Sequence, residues 1–234
     1  MRNLFVVGIV AAAALMAAPA VAADYPEYPT YELPELPPVD MGLTGGFYLR
    51  GSVAGNIWDA VDGQHCACVA DFNKPGYGYS LGVGFGYETG TGLRADLTVD
   101  YLSNGDLNTT AGYTVNLRSG LVLANLYYDY QFYDGGGAAG GLGGYVGAGI
   151  GFAKNYSEVL YGNGTQYAWG SSVEAAAALM AGLSYDMGTA VADVGWRGIY
   201  MNKVMNQPPA IADAYLINHN FINELRASVR YRLY

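Results

Sequence analysis

The sequence predicts an all-β fold, an eight-stranded antiparallel transmembrane up-and-down β-barrel. Three observations predict it: side chains that alternate with a period of two, a low content of charged residues, and connections that alternate between short and long. In the segment YGYSLGVGFGYE, residues 77–88, a large apolar or aromatic side chain stands at every second position up to Tyr87. Such alternation is typical of a β-strand, because successive side chains point to opposite faces of a sheet.

The composition favours lipid outside the barrel. Charged residues make up 13% of the chain and hydrophobic residues 52%, whereas a soluble domain carries about 25% charged residues. The 22 tyrosines suit a membrane interface, because their rings are apolar and their hydroxyls polar. A net charge of −9 without a basic patch disfavours nucleic acid as a partner. A lipocalin-like soluble barrel or a sandwich is the alternative fold.

Three regions are expected along the chain. Residues 1–22 have the charged, apolar and small-residue parts of a cleaved secretory signal peptide, and Ala23 would begin the mature chain. Residues 23–44 are rich in Pro and acidic side chains, which predicts an extended, solvated periplasmic tail. Residues 45–234 form the predicted barrel. No segment after the signal peptide has the roughly 18 uncharged apolar residues that a spanning helix needs.

The first four strands are predicted at residues 46–58, 77–88, 93–103 and 115–131. In the first, Phe47 and Leu49 share the apolar face, and Arg50 lies on the other face. The fourth includes the motif LVLANLYYDY, whose alternation slips near Ser119–Gly120, where we expect a β-bulge.

The last four strands are predicted at residues 144–155, 174–187, 190–201 and 221–234. An Ala-rich helix competes with the sixth strand, but Gly182 and the alternation of Ser184 with Asp186 favour a strand. Tight turns are predicted at residues 89–92 and 187–189, and long polar loops at 59–76, 103–114, 155–172 and 202–219. Short turns at one end and long loops at the other are typical of bacterial outer-membrane barrels. The Gly-rich connection between strands four and five is long for a periplasmic turn.

Strand length decides which face meets lipid. Residues 77–88 extend over about 40 Å, which a tilt of about 40° reduces to roughly 30 Å, the thickness of a hydrocarbon layer. Were the apolar faces turned inwards, glycines would cover much of the outside. Aromatic residues near the predicted strand ends are expected to form interfacial girdles; they are Trp58, Tyr77, Tyr87, Tyr101, Tyr128, Tyr130, Tyr185, Tyr200 and Tyr231.

The opposite faces place charges of both signs in the lumen. An eight-stranded barrel has an interior that side chains can fill, and buried charges need partners. We therefore predict a paired plug, with an ion-selective gate as the functional alternative. The predicted lumen charge network comprises Arg50, Glu88, Arg94, Asp96, Asp100, Asp129, Asp193, Arg197, Arg226 and Arg230, and Glu224 shares their face.

The chain also resembles a known family. The segments GGFYLRGSVAG, LRADLTVDY, ANLYYDY, YVGAGIGFA, LMAGLSYDM and RASVRYRL resemble the small β-barrel outer-membrane proteins of alphaproteobacteria, porin-like surface antigens related to the opacity proteins. The resemblance covers about residues 45–234. It implies a structural envelope protein or surface antigen, with some members described as porins. It also implies a terminal signal for the barrel assembly machinery at Tyr231, Leu233 and Tyr234, although Tyr234 is out of phase with the apolar face.

Catalysis has little support in the sequence. No G-x-S-x-G motif occurs, and His65 and His219 fall in predicted loops. His219 beside Ser171 or Ser172 would be needed for a lipid-modifying barrel enzyme, and nothing in the sequence fixes that pairing.

The segment HCAC, with Cys66 and Cys68, leaves three alternatives: a strained disulfide, a metal contact and a plain surface loop. We favour the loop and expect no metal and no cofactor.

The function expected from the sequence is therefore non-enzymatic. We predict a structural or surface-antigen role in the bacterial outer membrane, with a small porin for ions or small solutes as the alternative. Outer-membrane lipid and the assembly machinery are the expected partners. The surface-exposed loops would bind any external ligand, with the aromatic residues Tyr156, Tyr161, Tyr167 and Trp169 as candidates.

Overall fold

The computed structural model describes residues 45–65, 68–110, 112–133, 141–206 and 215–233. The predicted signal peptide (1–22), the predicted tail (23–44), Cys66 and Tyr234 lie outside these residues. No helix within the described ranges is long and apolar enough to cross a membrane. The described strands are β1 (Gly46–His65), β2 (Cys68–Lys74), β3 (Gly76–Glu88), β4 (Leu93–Thr109), β5 (Thr114–Tyr133), β6 (Gly141–Leu160), β7 (Gln166–Asp186), β8 (Ala190–Met205) and β9 (Tyr215–Leu233).

These strands form one antiparallel sheet that closes on itself. From β3 to β9 each strand pairs with the next in the chain, β1 pairs with β3, and β1 closes the ring by pairing with β9 from Phe47–Leu233 to His65–Tyr215. β2 and β3 lie on either side of Pro75, and both pair with β1 and β4, so together they occupy a single strand position in the barrel. The ring therefore has eight strand positions, which confirms the predicted fold class.

The two ends of the barrel differ. The turn end carries the short connections after Glu88 and Asp186, together with Gly45 and Leu233. The opposite end, the hairpin end, carries the connections predicted as long loops. There the prediction was wrong in extent, because β4 and β5 continue to Thr109 and from Thr114, and β6 and β7 are likewise longer than predicted.

The β-bulge predicted at Ser119–Gly120 is absent from the β4–β5 ladder, which runs regularly from Leu93–Tyr128 to Asn104–Leu117. The irregularity lies instead between Asn104 and Leu107 of β4, where Asp106 has a φ of 61°. The apparent slip in the sequence arises because apolar side chains of β5 point into the barrel at this level. They are Val115, Leu117, Leu121 and Leu123.

A second irregularity affects the hairpin of β8 and β9. Asn202 and Lys203 are both exposed, and His219 opposite them has a φ of 51°, so both strands change the face that they bury. The β7–β8 ladder ends at Ala176–Met201. Beyond it, the two strands meet again where the backbone N–H of Met205 donates to Ser172 Oγ at 3.4 Å.

The outer surface of the barrel is an apolar belt. Val83 is 65% exposed, and Ile150 and Leu225 are each 71% exposed. Such a continuous apolar surface is rare on soluble monomers. The belt is bordered by exposed aromatic residues that the girdle prediction named: Tyr77, Tyr101, Tyr128, Tyr130, Tyr185, Tyr200 and Tyr231.

Two members of the predicted girdle differ. Tyr87 is half-buried. Trp58 was predicted at the interface but is fully buried inside the barrel. It is separated from Asn56 by two positions, so it shares the inward face, and its Nε1–H donates to Asn220 Oδ1 at 3.1 Å.

Candidate functional site

The lumen is filled by two layers of side chains. The layer towards the turn end, called here the charge network, contains every residue of the predicted network. They are Arg50, Glu88, Arg94, Asp96, Asp100, Asp129, Asp193, Arg197, Arg226 and Arg230. Glu224 joins them as Arg197's partner, and Arg232 and Asp186, which the predicted network omitted, close it at the turn end.

The centre of the charge network is formed by β4, β8 and β9. Arg197 donates from Nε to Glu224 Oε2 at 2.5 Å and from Nη1 to Asp100 Oδ2 at 2.9 Å. Arg226 donates to the other oxygen of Asp100 at 3.0 Å, and Ser80 donates to Glu224 at 2.9 Å. Because these groups are almost fully buried, each charge depends on its partners rather than on water.

Nearer the turn end, the carboxylate of Asp96 accepts hydrogen bonds from three side chains. Arg50 Nη1 donates to it at 3.2 Å, Tyr48 OH at 2.9 Å and Asn125 Nδ2 at 2.8 Å. Arg50 also donates to Tyr127 OH at 2.7 Å. A carboxylate with this many donors is held in a fixed position across β1, β4 and β5.

Arg94 lies in a cage of aromatic rings. Its guanidinium carbon is 3.9 Å from the ring centroid of Tyr127, and the rings of Tyr145 and Tyr48 lie at 5.6 and 5.9 Å. The same guanidinium forms a two-point ion pair with Asp129, at 2.9 and 3.0 Å. Cation–π contacts of a desolvated arginine add to the ion pair.

The turn end opens into a small vestibule. Arg230 forms a two-point pair with Asp193, with both distances 3.1 Å. Arg232 pairs with Asp186 at 2.8 and 2.9 Å and with Glu88. Glu88, Asp186, Arg230 and Arg232 line a cavity of about 190 Å³ together with Asp129, whose side chain remains 25% exposed.

The layer towards the hairpin end, called here the apolar lumen, has a different character. Its buried side chains are mostly aliphatic, and no ion pair of the described residues lies among them. Its larger members are Trp58, Leu102, Leu107, Leu117, Leu121, Leu123, Ile199, Met201, Val204, Ile217 and Ile222. Sequence reasoning missed this layer because it assigned every apolar face to lipid.

Two pairs of polar side chains in the apolar lumen bond to each other. Near the hairpin end, Tyr215 OH donates to Ser157 Oγ at 2.7 Å. Ser119 donates to Asn155 at 2.6 Å. The carboxamides of Asn56 and Asn104 are each 3% exposed and make no hydrogen bond to any described residue. Both flank Gly78, one on each side across the sheet.

Glycines let the charge network approach the wall. A Cβ at Gly82 would lie 2.0 Å from Asp100 Oδ1 and 2.8 Å from Ser52 Oγ. A Cβ at Gly195 would lie 2.5 Å from the hydroxyl of Tyr145. The glycine-rich alternation of β3 therefore makes room for inward side chains from other strands.

The remaining predicted sites lie outside the lumen. Tyr231 and Leu233 of the predicted assembly signal face outwards in phase. The rings of Tyr156 and Trp169 are 6.2 Å apart, and those of Tyr113 and Tyr161 are 5.5 Å apart, both at the hairpin end.

Two further candidates, a catalytic pair and a metal site, gain no support. Tyr200 OH lies 3.0 Å from His219 Nδ1, and no hydrogen bond among described residues joins His219 to Ser171 or Ser172. In the described part of the chain, no three His, Cys, Asp or Glu residues are placed to hold a metal ion.

Comparison with known proteins gives the fold. No family model and no curated protein matches the chain. Neisserial surface protein A is 22% identical over 80% of this chain and 97% of its own, with a TM-score of 0.51. The attachment invasion locus protein Ail of Yersinia pestis is 13% identical over 80% of this chain and 99% of its own, with a TM-score of 0.42. The outer-membrane protein OprG of Pseudomonas aeruginosa is 13% identical over 80% of this chain and 97% of its own, with a TM-score of 0.41. The chain thus has the fold of small outer-membrane β-barrels.

Proposed function

We propose that the protein is an integral barrel of the bacterial outer membrane, with the turn end in the periplasm and the hairpin end outside the cell. The apolar belt and the closed ring support this placement, since only a closed sheet satisfies its backbone groups in lipid. The fold shared with Neisserial surface protein A agrees with it. Tyr231 and Leu233, outward at the end of β9, would present the signal to the assembly machinery.

We further propose that the lumen is plugged and that the protein has a structural or surface-antigen role without catalysis. The observation that carries this proposal is the paired burial of the arginines. Arg50, Arg94 and Arg197 are at most 4% exposed, and each is bound by a carboxylate. The apolar lumen adds a second barrier behind them. Recognition of external molecules would then fall to the hairpin end, where Tyr156 and Trp169 form an aromatic pair.

Single-channel conductance of the refolded mature chain in a planar bilayer tests the plug. Folding would be checked by the heat-dependent shift in gel migration that folded barrels show. A folded barrel that conducts no ions supports the plug. Discrete openings that change when Arg94 or Arg197 is replaced would overturn it.

A small ion-selective pore is the second candidate. The vestibule favours it, because its cavity of about 190 Å³ leads from the turn end to Asp129 and Arg230. For conduction, the ion pairs of Arg197 and Arg226 would have to exchange partners as an ion passes. Openings whose cation or anion preference reverses in an Asp129→Lys variant would favour the pore.

A further inference from the structure

The basic residues of the barrel fall into two groups. The arginines of the charge network are buried and paired. The exposed basic residues of the described chain are Lys74, Arg118, Lys154 and Lys203, and none of them forms an ion pair within it. Two of these unpaired cations, Arg118 and Lys154, are neighbours.

Arg118 of β5 and Lys154 of β6 lie diagonally across one strand pair. Arg118 is opposite Tyr156, and Lys154 is opposite Gly120, so the Cα atoms of the two basic residues are about 7–8 Å apart, and both side chains face outwards. Like charges at this spacing repel unless an anion lies between them. The carboxylate that lies next along β6, Glu158, is instead bound by Asn116 at 3.2 Å.

The surroundings of the two cations indicate the class of anion. On the side of the turn end, Val122 and Phe152 are paired and are 42% and 65% exposed in the apolar belt. On the side of the hairpin end stands the aromatic pair of Tyr156 and Trp169. Gly120 leaves the space beside the cations open, because a Cβ there would meet no atom within 4 Å. The cations therefore lie at the border between the belt and an aromatic platform.

We propose that this surface binds a phosphorylated glycolipid of the outer leaflet. The phosphate would lie between Arg118 and Lys154, because both donate charge-assisted hydrogen bonds. The sugar would pack on Trp169 and Tyr156, and the acyl chains would follow Phe152 and Val122 down the belt. A lipid is favoured over free phosphate because the site continues into the apolar belt. The proposal rests on the outer-membrane placement proposed above.

Lipid binding to the refolded mature chain in phosphatidylcholine nanodiscs tests the site, with diphosphoryl lipid A as the probe. We expect the double variant Arg118→Gln/Lys154→Gln to bind it about thirtyfold more weakly than the wild type. The double variant Lys74→Gln/Lys203→Gln removes the same charge elsewhere and should bind it as the wild type does. An equal loss in both double variants, or no loss in either, would overturn the proposal.

Two further arms identify the bound chemistry. Trp169→Leu should weaken the binding of lipid A while leaving that of phosphatidic acid, which has no sugar, unchanged. Displacement of lipid A by inorganic phosphate would show that the site binds free phosphate, and it would overturn the proposal of a glycolipid site. A wild-type chain that shows no heat-dependent gel shift in lipid would instead contradict the outer-membrane placement itself. Insertion without selective lipid binding would contradict only this inference.

Discussion

The two layers of the lumen solve one packing problem in opposite ways. Along β4, the inward side chains change from Arg94, Asp96 and Asp100 near the turn end to Leu102 and Leu107 near the hairpin end. The same change occurs in β8, between Arg197 and Ile199. Both layers are closed, but the charge network closes by pairing and the apolar lumen closes by close packing.

The difference teaches where each layer is vulnerable. A buried ion pair contributes little net stability relative to an apolar pair of the same shape, yet removing one partner leaves an uncompensated charge. An apolar side chain that is removed leaves only a cavity. The charge network should therefore be the more sensitive layer to single substitutions, and the apolar lumen the more tolerant one.

The largest expected effect is that of Arg197→Ala. It removes the buried positive charge that pairs with the carboxylates of Asp100 and Glu224. The loss should lower the unfolding free energy by about 3–5 kcal/mol. Unfolding by urea in vesicles would measure it, followed by the heat-dependent gel shift. Lys203→Ala on the same strand is the control, since Lys203 is exposed. Equal stability of the two variants would contradict the pairing as a source of stability.

Leu123→Ala should follow with a cost of about 2–4 kcal/mol, because it opens a cavity in the apolar lumen. Leu126 lies on the same strand but is 59% exposed in the belt, whereas Leu123 is 0% exposed. Leu126→Ala should therefore cost much less in the same urea titration. If Leu126→Ala were the more damaging variant, the assignment of the two faces of β5 would be wrong.

Gly82→Ala should cost about 1–3 kcal/mol, because the added methyl group meets Asp100, which the network holds in place. Gly51→Ala is the matched control, since a Cβ at Gly51 meets nothing within 4 Å. Thermal unfolding of both variants would distinguish them. Similar melting temperatures of the two variants would show that the backbone at Gly82 can move away from Asp100 without loss of stability.

The sequence predicts the charge network better than the apolar lumen for a physical reason. Charged residues within the apolar belt can face only the lumen, so the position of Asp96 or Arg197 follows from alternation alone. An apolar residue suits both faces, since lipid and a packed core are equally apolar. The change of pattern between Leu117 and Leu121 therefore predicted a β-bulge, which the β4–β5 ladder does not contain.

The sequence also could not predict which carboxylate pairs with which arginine. Arg94 meets Asp129 on the neighbouring strand, but Arg197 meets Asp100 across the lumen, where the sequence separation is 97 residues. Such contacts depend on the register and stagger of the whole ring. The unpaired pair of Arg118 and Lys154 is likewise visible only once β5 and β6 are aligned.

The smallest effect should come from Asn56→Leu, at the boundary between the two layers. Both polar atoms of this carboxamide lack a hydrogen bond to any described residue, so its replacement by an apolar group of similar size removes a polar group that gains nothing from burial. We expect a change in unfolding free energy below about 1 kcal/mol. Asn125→Leu is the contrast, because Asn125 donates to Asp96 at 2.8 Å and its loss should cost more. If the two variants were equally destabilised in urea, Asn56 would have to be bonded in the folded barrel, and the boundary would belong to the charge network.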